Sequence, residues 1–339
     1  MGFVDNMNEQ KIPFIGDKYK YVYTGTELNI NRIRLAWHIT DWCNYSCPYC
    51  IQSVNHHYAK EPKETQEYVE SMAKLLRPKL HKQKVTLTLY GGEISTYYNL
   101  RRIVEILFKD NESDATVTLL TNLSAPLGKY KDFMNCSDKN LHIRIIPSYQ
   151  WSNIDEFINK CVFIRKFLGN VFQCSCVVFD KTTLEHLKEV AEKFRKANIP
   201  IRFTHGRIPK SNNTFYTLQD GVSDFIINWN KNVFEKITCH ITYADGTEKP
   251  CFARSDILKE VADYQGFNGA YFKDMMCFTG LNLTPNGNLR AGSCPDRSKL
   301  YIANIFEDKD FTLKPYKSKC EGKGFCNLCN SILIWNGKY

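Results

Sequence analysis

Cys43, Cys47 and Cys50 stand in the stretch DWCNYSCPYC, with three and then two residues between them. Three thiols gathered in so short a loop suit a metal centre, either an iron–sulfur cluster or zinc, and both ordinarily take four protein ligands. One ligand is missing from this loop. His56 or His57 would complete a zinc knuckle, which is the plainest alternative to a cluster.

A second set of cysteines lies near the other end of the chain. Cys277 precedes LNLTPNGNLRAGSC, whose Pro-Asn-Gly turn folds the chain back so that Cys294 can approach Cys277, and Cys326 and Cys329 follow in FCNLC. These four, or a set in which Cys320 replaces one of them, would make a complete four-cysteine site. The surrounding CEGKGFCNLCN is a glycine-containing loop that a metal would order. Fourteen cysteines in a chain whose N-terminus shows no secretory pattern point to metal ligands rather than disulfides, because intracellular thiols are kept reduced.

The elements that position these residues alternate. Predicted strands cover 34–40, 85–90, 116–121, 143–148, 172–179 and 199–204, and predicted helices cover 64–76, 100–109, 154–168 and 184–197. Strands and helices in turn imply parallel βα repeats with active groups at the strand C-termini, and the first cysteine loop directly follows the first of these strands. The expected class is α/β, a partial (β/α)6 barrel of the TIM type with a small cysteine-rich C-terminal domain. Residues 1–30 are an N-terminal extension in which KYKYVYTG forms a short strand, 31–210 the barrel, and 211–339 the second domain, which begins with a helix near 222–229 and hairpins around Asp245-Gly246 and Asn286-Gly287.

The C-x3-C-x-aromatic-C pattern of Cys43, Cys47, Tyr49 and Cys50 resembles the radical S-adenosylmethionine (SAM) superfamily. The resemblance implies that the three cysteines hold three irons of a [4Fe-4S] cluster whose fourth iron takes the amino and carboxylate groups of SAM. It also implies that an electron delivered to the cluster, from a donor such as flavodoxin or ferredoxin, releases a 5′-deoxyadenosyl radical that removes hydrogen from a C–H bond.

Gly91-Gly92-Glu93, after the strand VTLTLY, matches the family's GGE motif. There the glycines would let the backbone approach the methionine end of SAM and Glu93 would meet its ammonium group. In similar enzymes polar residues at the strand ends, here Asn122 and Ser148, contact the sugar or carboxylate of SAM, and Tyr49 would lie against the adenine. The tail resembles the auxiliary-cluster domain of the SPASM and twitch subgroups. Five tail cysteines, fewer than the seven of the longer form, imply one auxiliary [4Fe-4S] cluster, ligated by Cys277, Cys294, Cys326 and Cys329 with Cys320 as the alternative ligand. Cys251 is a candidate for returning a hydrogen atom to a substrate radical, as a cysteine does in related peptide epimerases.

A hydrophobic fraction of 43% and a charged fraction of 24% are those of an ordinary globular protein, and no stretch has the eighteen or so apolar residues of a membrane helix. The expected location is the cytoplasm, with no membrane partner. The net charge of +9 is compatible with an acidic peptide, a phosphorylated substrate or nucleic acid. A ribosomally made peptide, modified by oxidation, epimerisation or cross-linking, is the first expectation. The alternative is dehydrogenation of a polar small molecule such as an aminocyclitol or nucleotide sugar. A zinc protein that binds nucleic acid is the non-enzyme alternative, although no base-stacking or helix-in-groove motif is visible.

Overall fold

The computed structural model describes residues 18–24, 31–50, 61–110, 112–169, 172–206, 208, 215–233, 239–251, 257, 260–261, 263–264, 276–291, 301–314, 316–319 and 331–335. Six parallel strands carry the barrel: β2 (Ile33–His38), β3 (Val85–Tyr90), β4 (Ala115–Thr121), β5 (Leu141–Tyr149), β6 (Cys174–Val178) and β7 (Ile201–His205), preceded by β1 (Tyr19–Thr24). They lie side by side in chain order. Between them run α1 (Gln66–Leu80), α2 (Ile94–Tyr97), α3 (Leu100–Phe108), α4 (Leu127–Met134), α5 (Ile154–Leu168) and α6 (Leu184–Lys196).

β2, β3, β5 and β6 read as alternation. Ile33, Leu35 and Trp37 on β2, and Val85, Leu87 and Leu89 on β3, are buried in the core together with Val69 and Met72 of α1, while their neighbours in sequence face the other side. The sheet therefore has a helix-covered face and a helix-free face. Polar side chains start the helices: Thr65 accepts a hydrogen bond from the Tyr68 amide, Asn153 from Glu156 and Thr183 from His186, each capping an otherwise unpaired amide.

Two helices escape the sequence pattern. The sequence reading runs from the strand at 116–121 to that at 143–148 with nothing between, yet α4 covers the connection. LGKYKDFM has only a short apolar stripe, and its signal is Pro126 just before the first helical residue. Parallel neighbours need such a crossover. The single turn of α2 is too short to show a period.

After β7 come α7 (Val222–Val233), β8 (Cys239–Tyr243), β9 (Glu248–Cys251), β10 (Met276–Thr279), β11 (Leu281–Leu283), β12 (Asn288–Ala291), β13 (Tyr301–Asn304), β14 (Tyr316–Lys319) and β15 (Ser331–Trp335). The strands β11, β12 and β13 extend the barrel sheet. β11 pairs in parallel with β2, Leu281 opposite Leu35, so the edge of the strand that leads into the first cysteine loop is covered. The predicted turn at Asn286-Gly287 joins β11 to β12, with Gly287 at φ +82°.

The other sheet runs β14-β10-β15-β1-β8-β9. The N-terminal strand thus sits inside a sheet of C-terminal strands, paired antiparallel with β15 on one side and β8 on the other. Among the described residues no helix is long and apolar enough to cross a membrane.

Deleting residues 1–24 removes the strand that joins β8 and β9 to the rest of that sheet. Amide hydrogen exchange is expected to rise in Cys239–Tyr243 and Ser331–Trp335 while the amides of β3 and β4 keep their protection; unchanged exchange in β8 and β15 would contradict the pairing.

Candidate functional site

Cys43, Cys47 and Cys50 lie in the loop that leaves the C-terminal end of β2, all three half-buried. Burial pushes the Cys43 thiol up to about 12, and the neighbouring Glu93, Cys47 and Cys50 push it the same way. The Cys47 thiol is raised too, first by burial, with Cys50 adding to it. Thiols that share one desolvated loop and repel one another as thiolates suit a bound cation, which would hold them deprotonated. By residue type the donor set suits an iron–sulfur cluster or zinc, although among the described residues no three such side chains are gathered closely enough to hold a metal ion.

The loop is held from below by the end of β3. The Gly92 amide donates to the Thr40 carbonyl at 2.8 Å and the Glu93 amide to the Trp42 carbonyl at 3.0 Å. A Cβ on Gly92 would stand 1.7 Å from the Trp42 carbonyl oxygen, and one on Gly91 2.4 Å from that of Thr40. Both glycines are thus needed for β3 to press against the cysteine loop, a role that the sequence reading, which gave them to SAM, did not include. Thr40 braces the same point: its hydroxyl donates to the Glu64 carboxylate at 2.7 Å and accepts from the Trp42 amide at 3.1 Å.

Glu93 has no exposed surface. Its Oε1 accepts from the Ser95 amide at 3.1 Å, the Ser95 hydroxyl at 2.5 Å and the Thr121 hydroxyl at 2.9 Å, and its Oε2 accepts from the Asn122 amide. Burial pushes the carboxyl up, and these donors pull it back down. The Tyr130 hydroxyl, from α4, lies 2.9 Å from the Ser95 hydroxyl and 3.1 Å from that of Thr121. One carboxylate thus ties the end of β3 to the start of α2 and the end of β4.

Asn122 is buried beside it, and its side-chain amide donates to Asn44, inside the cysteine loop, at 3.1 Å. Across the mouth, at the end of β5, Gln150 gathers three partners. Its Oε1 accepts from the Tyr49 hydroxyl at 2.6 Å and the Cys47 thiol at 3.1 Å, and its Nε2 donates to the Ser148 hydroxyl at 2.9 Å. The Tyr49 ring packs on Phe179 with centroids 4.9 Å apart, and the Tyr216 hydroxyl donates to the Pro48 carbonyl at 3.3 Å. Gln150 and Tyr216 were missed from the sequence. Gln150 had one signal, its place at the tip of a barrel strand.

Residues 37–145, from the end of β2 through most of β5, match the family model described as the radical SAM superfamily. This segment is a radical SAM domain. It contains the three cysteines, the Gly-Gly-Glu turn and Asn122.

An S-adenosylmethionine-dependent nucleotide dehydratase of Fibrobacter sp. (strain UWH6) is 31% identical over 100 residues, 28% of each chain, so the match covers little more than a quarter of that relative's length. Among solved structures, native anSMEcpe with bound AdoMet and the Kp18Cys peptide superposes with a TM-score of 0.50 at 15% identity, over 82% of this chain and 79% of that one. Native anSMEcpe with bound AdoMet gives 0.49 at 15% identity over the same shares. The likeness to the peptide-bound structure is one of fold: an α/β chain with a mostly parallel sheet, as in the partial TIM barrel of radical SAM enzymes.

Beyond the domain, Cys277 lies on β10 and Cys251 at the end of β9. Cys294, Cys320, Cys326, Cys329, His56 and His57 lie outside the described residues. Cys161 and Cys174, left over in the sequence, are buried core with sulfurs 3.4 Å apart.

Gly92→Ala is expected to cost about 1–3 kcal/mol or more in urea unfolding, because the new methyl meets backbone that cannot turn aside. It should also lower iron retention after reconstitution in step with the displaced loop. Wild-type stability and iron content in that variant would contradict the packing role.

Proposed function

We propose that the chain is a radical SAM enzyme that removes a hydrogen atom from a substrate carbon. The observation that carries this reading is the cysteine loop seated on the Gly-Gly-Glu turn within the radical SAM domain. Cys43, Cys47 and Cys50 would hold a [4Fe-4S] cluster. When bound, the cluster and SAM supply the electron and the 5′-deoxyadenosyl group that do the hydrogen abstraction.

The chain's own residues fix where that happens. Gly91 and Gly92 set the depth of the loop, Glu93 locks the ends of β3 and β4 beneath it, and Asn122 ties Asn44 to that lock. Gln150 orients Cys47 and Tyr49 from the far side, while Tyr49 and Phe179 keep water from one flank of the loop. In this reading Glu93 is a positioning residue, and SAM is met by the groups it arranges, with Asn122 and Ser148 at the mouth.

A polar small molecule is the substrate class favoured here, supported by the relative named as a nucleotide dehydratase, whose likeness extends to sequence. Peptide modification is the second reading, prompted by a neighbour of like fold that holds a peptide. An auxiliary [4Fe-4S] cluster on Cys277, Cys294, Cys326 and Cys329, with Cys320 as the alternative, would accept the surplus electron of a net oxidation. Cys251 remains a candidate hydrogen donor. Flavodoxin or ferredoxin would supply electrons, in a cytoplasmic setting.

Anaerobic reconstitution with iron and sulfide, followed by dithionite and SAM, should yield 5′-deoxyadenosine, and Cys43→Ala, Cys47→Ala or Cys50→Ala should each reduce it to background. Gln150→Leu should lower the rate by roughly 10- to 100-fold, as losses of groups that orient metal ligands do. Zinc without sulfide in the purified protein, with no 5′-deoxyadenosine, would refute the enzyme reading.

A further inference from the structure

The six barrel strands contain no aspartate or glutamate at all, yet they carry Arg34, Arg144 and Arg202. All three arginines fall on the helix-free face. On β5 the buried residues Leu141, Ile143 and Ile145 belong to the core, so Arg144 between them points away from the helices, and the same alternation places Arg34 on β2 and Arg202 on β7.

Among the described residues, Asp114 and Asp41 stand at the rims of this face and have partners there. At the lower rim Asp114 pairs with Arg32 and lies 3.7 Å from His142; at the upper rim Asp41 lies 3.0 Å from the His38 ring. Arg144 is exposed and has no acidic partner among the described residues. Its neighbours at the same register are uncharged: Thr118 on β4, Thr88 on β3 and Ala36 on β2. Arg202 stands level with Ser175 and Ser148, nearer the cysteine loop.

A guanidinium in mid-strand, flanked by hydroxyls and facing no acid, is placed to receive an oxyanion through two parallel hydrogen bonds. A surface carrying one sign of charge raises the local concentration of ligands of the other sign. Depth matters as well. Arg144 lies six residues before Gln150, which touches Cys47, and at the rise of a strand this is about 20 Å. Arg202 sits between the two levels, so positive charge is spread along the strand direction.

We propose that the helix-free face of the barrel binds the phosphoryl groups of a phosphorylated small molecule, with Arg144 as the deep anchor and Arg202 nearer the mouth. The anionic end lies deep and the carbon to be attacked faces the cysteine loop, so phosphoryl binding energy positions a reacting centre that it does not touch. This deepens the reading of the chain as a radical SAM enzyme and rests on it for the direction in which the substrate points.

The test is titration calorimetry of the reconstituted full chain with inorganic pyrophosphate, and separately with hexaglutamate, at low and physiological salt. Wild type is expected to bind pyrophosphate at one site, more weakly as salt rises. Arg144→Ala should weaken this by roughly tenfold or more, the loss of a charge-assisted pair, and Arg144→Lys should lose less. Arg195→Ala, on the outer helix α6, should bind as wild type does.

Absence of pyrophosphate binding, unchanged binding in Arg144→Ala, or Arg144-dependent binding of hexaglutamate alone would overturn the proposal, the last in favour of an acidic peptide. Formation of 5′-deoxyadenosine by the wild type is measured in parallel. Product without pyrophosphate binding defeats the anion site alone, whereas Arg144-dependent binding without product defeats the radical reading and leaves the anion site standing.

Discussion

Glu93 is a carboxylate with no exposed surface, and the mouth of the barrel is organised around it. A buried carboxyl carries a desolvation cost that only convergent donors offset, and here they come from Ser95, Thr121 and Asn122 on two different elements. Because those donors sit at the end of β4 and the start of α2, the carboxylate fixes how the end of β3 meets its neighbours. The backbone just before it, Gly91 and Gly92, then bears directly on Thr40, Trp42 and Cys43. The geometry of the cysteines is thus inherited from a hydrogen-bond network one layer beneath them.

The same constraint explains why chemistry and fold are hard to separate here. The residues that hold the loop from the other side, Gln150 and Tyr216, come from well beyond it in the chain, so the loop is clamped between the β3–β4 end of the sheet and the region from β5 onward. On the helix-free face below it the barrel strands carry no acid; at its lower rim Asp114 pairs with Arg32, and at its upper rim Asp41 lies 3.0 Å from the His38 ring, whose protonation burial disfavours.

Much of the barrel was legible in the sequence because its strands alternate cleanly: Val85–Tyr90 and the helix Ile154–Leu168 have the predicted bounds. The helix α4 was not, since LGKYKDFM lacks a long period and its existence follows from topology instead. The sheet that β1 shares with β8 and β15 could not be read either, because strand pairing between distant segments leaves no local trace. The cysteine triad and the Gly-Gly-Glu turn were legible from spacing, whereas the part that Gly92 plays was visible only once the Trp42 carbonyl lay against it. Gln150 was hidden for a similar reason: a glutamine ending a strand is ordinary until Cys47 and Tyr49 are brought to it.

The account stands on Cys43, Cys47 and Cys50 holding a cluster with a coordination position left for SAM. Electron paramagnetic resonance of the reconstituted, reduced protein with SAM labelled with 15N at its amino group tests this most directly. The account predicts a [4Fe-4S]+ signal whose shape changes on adding SAM and which shows hyperfine coupling to the labelled nitrogen. A signal unaltered by SAM and free of that coupling, or no iron-based signal at all, would contradict it.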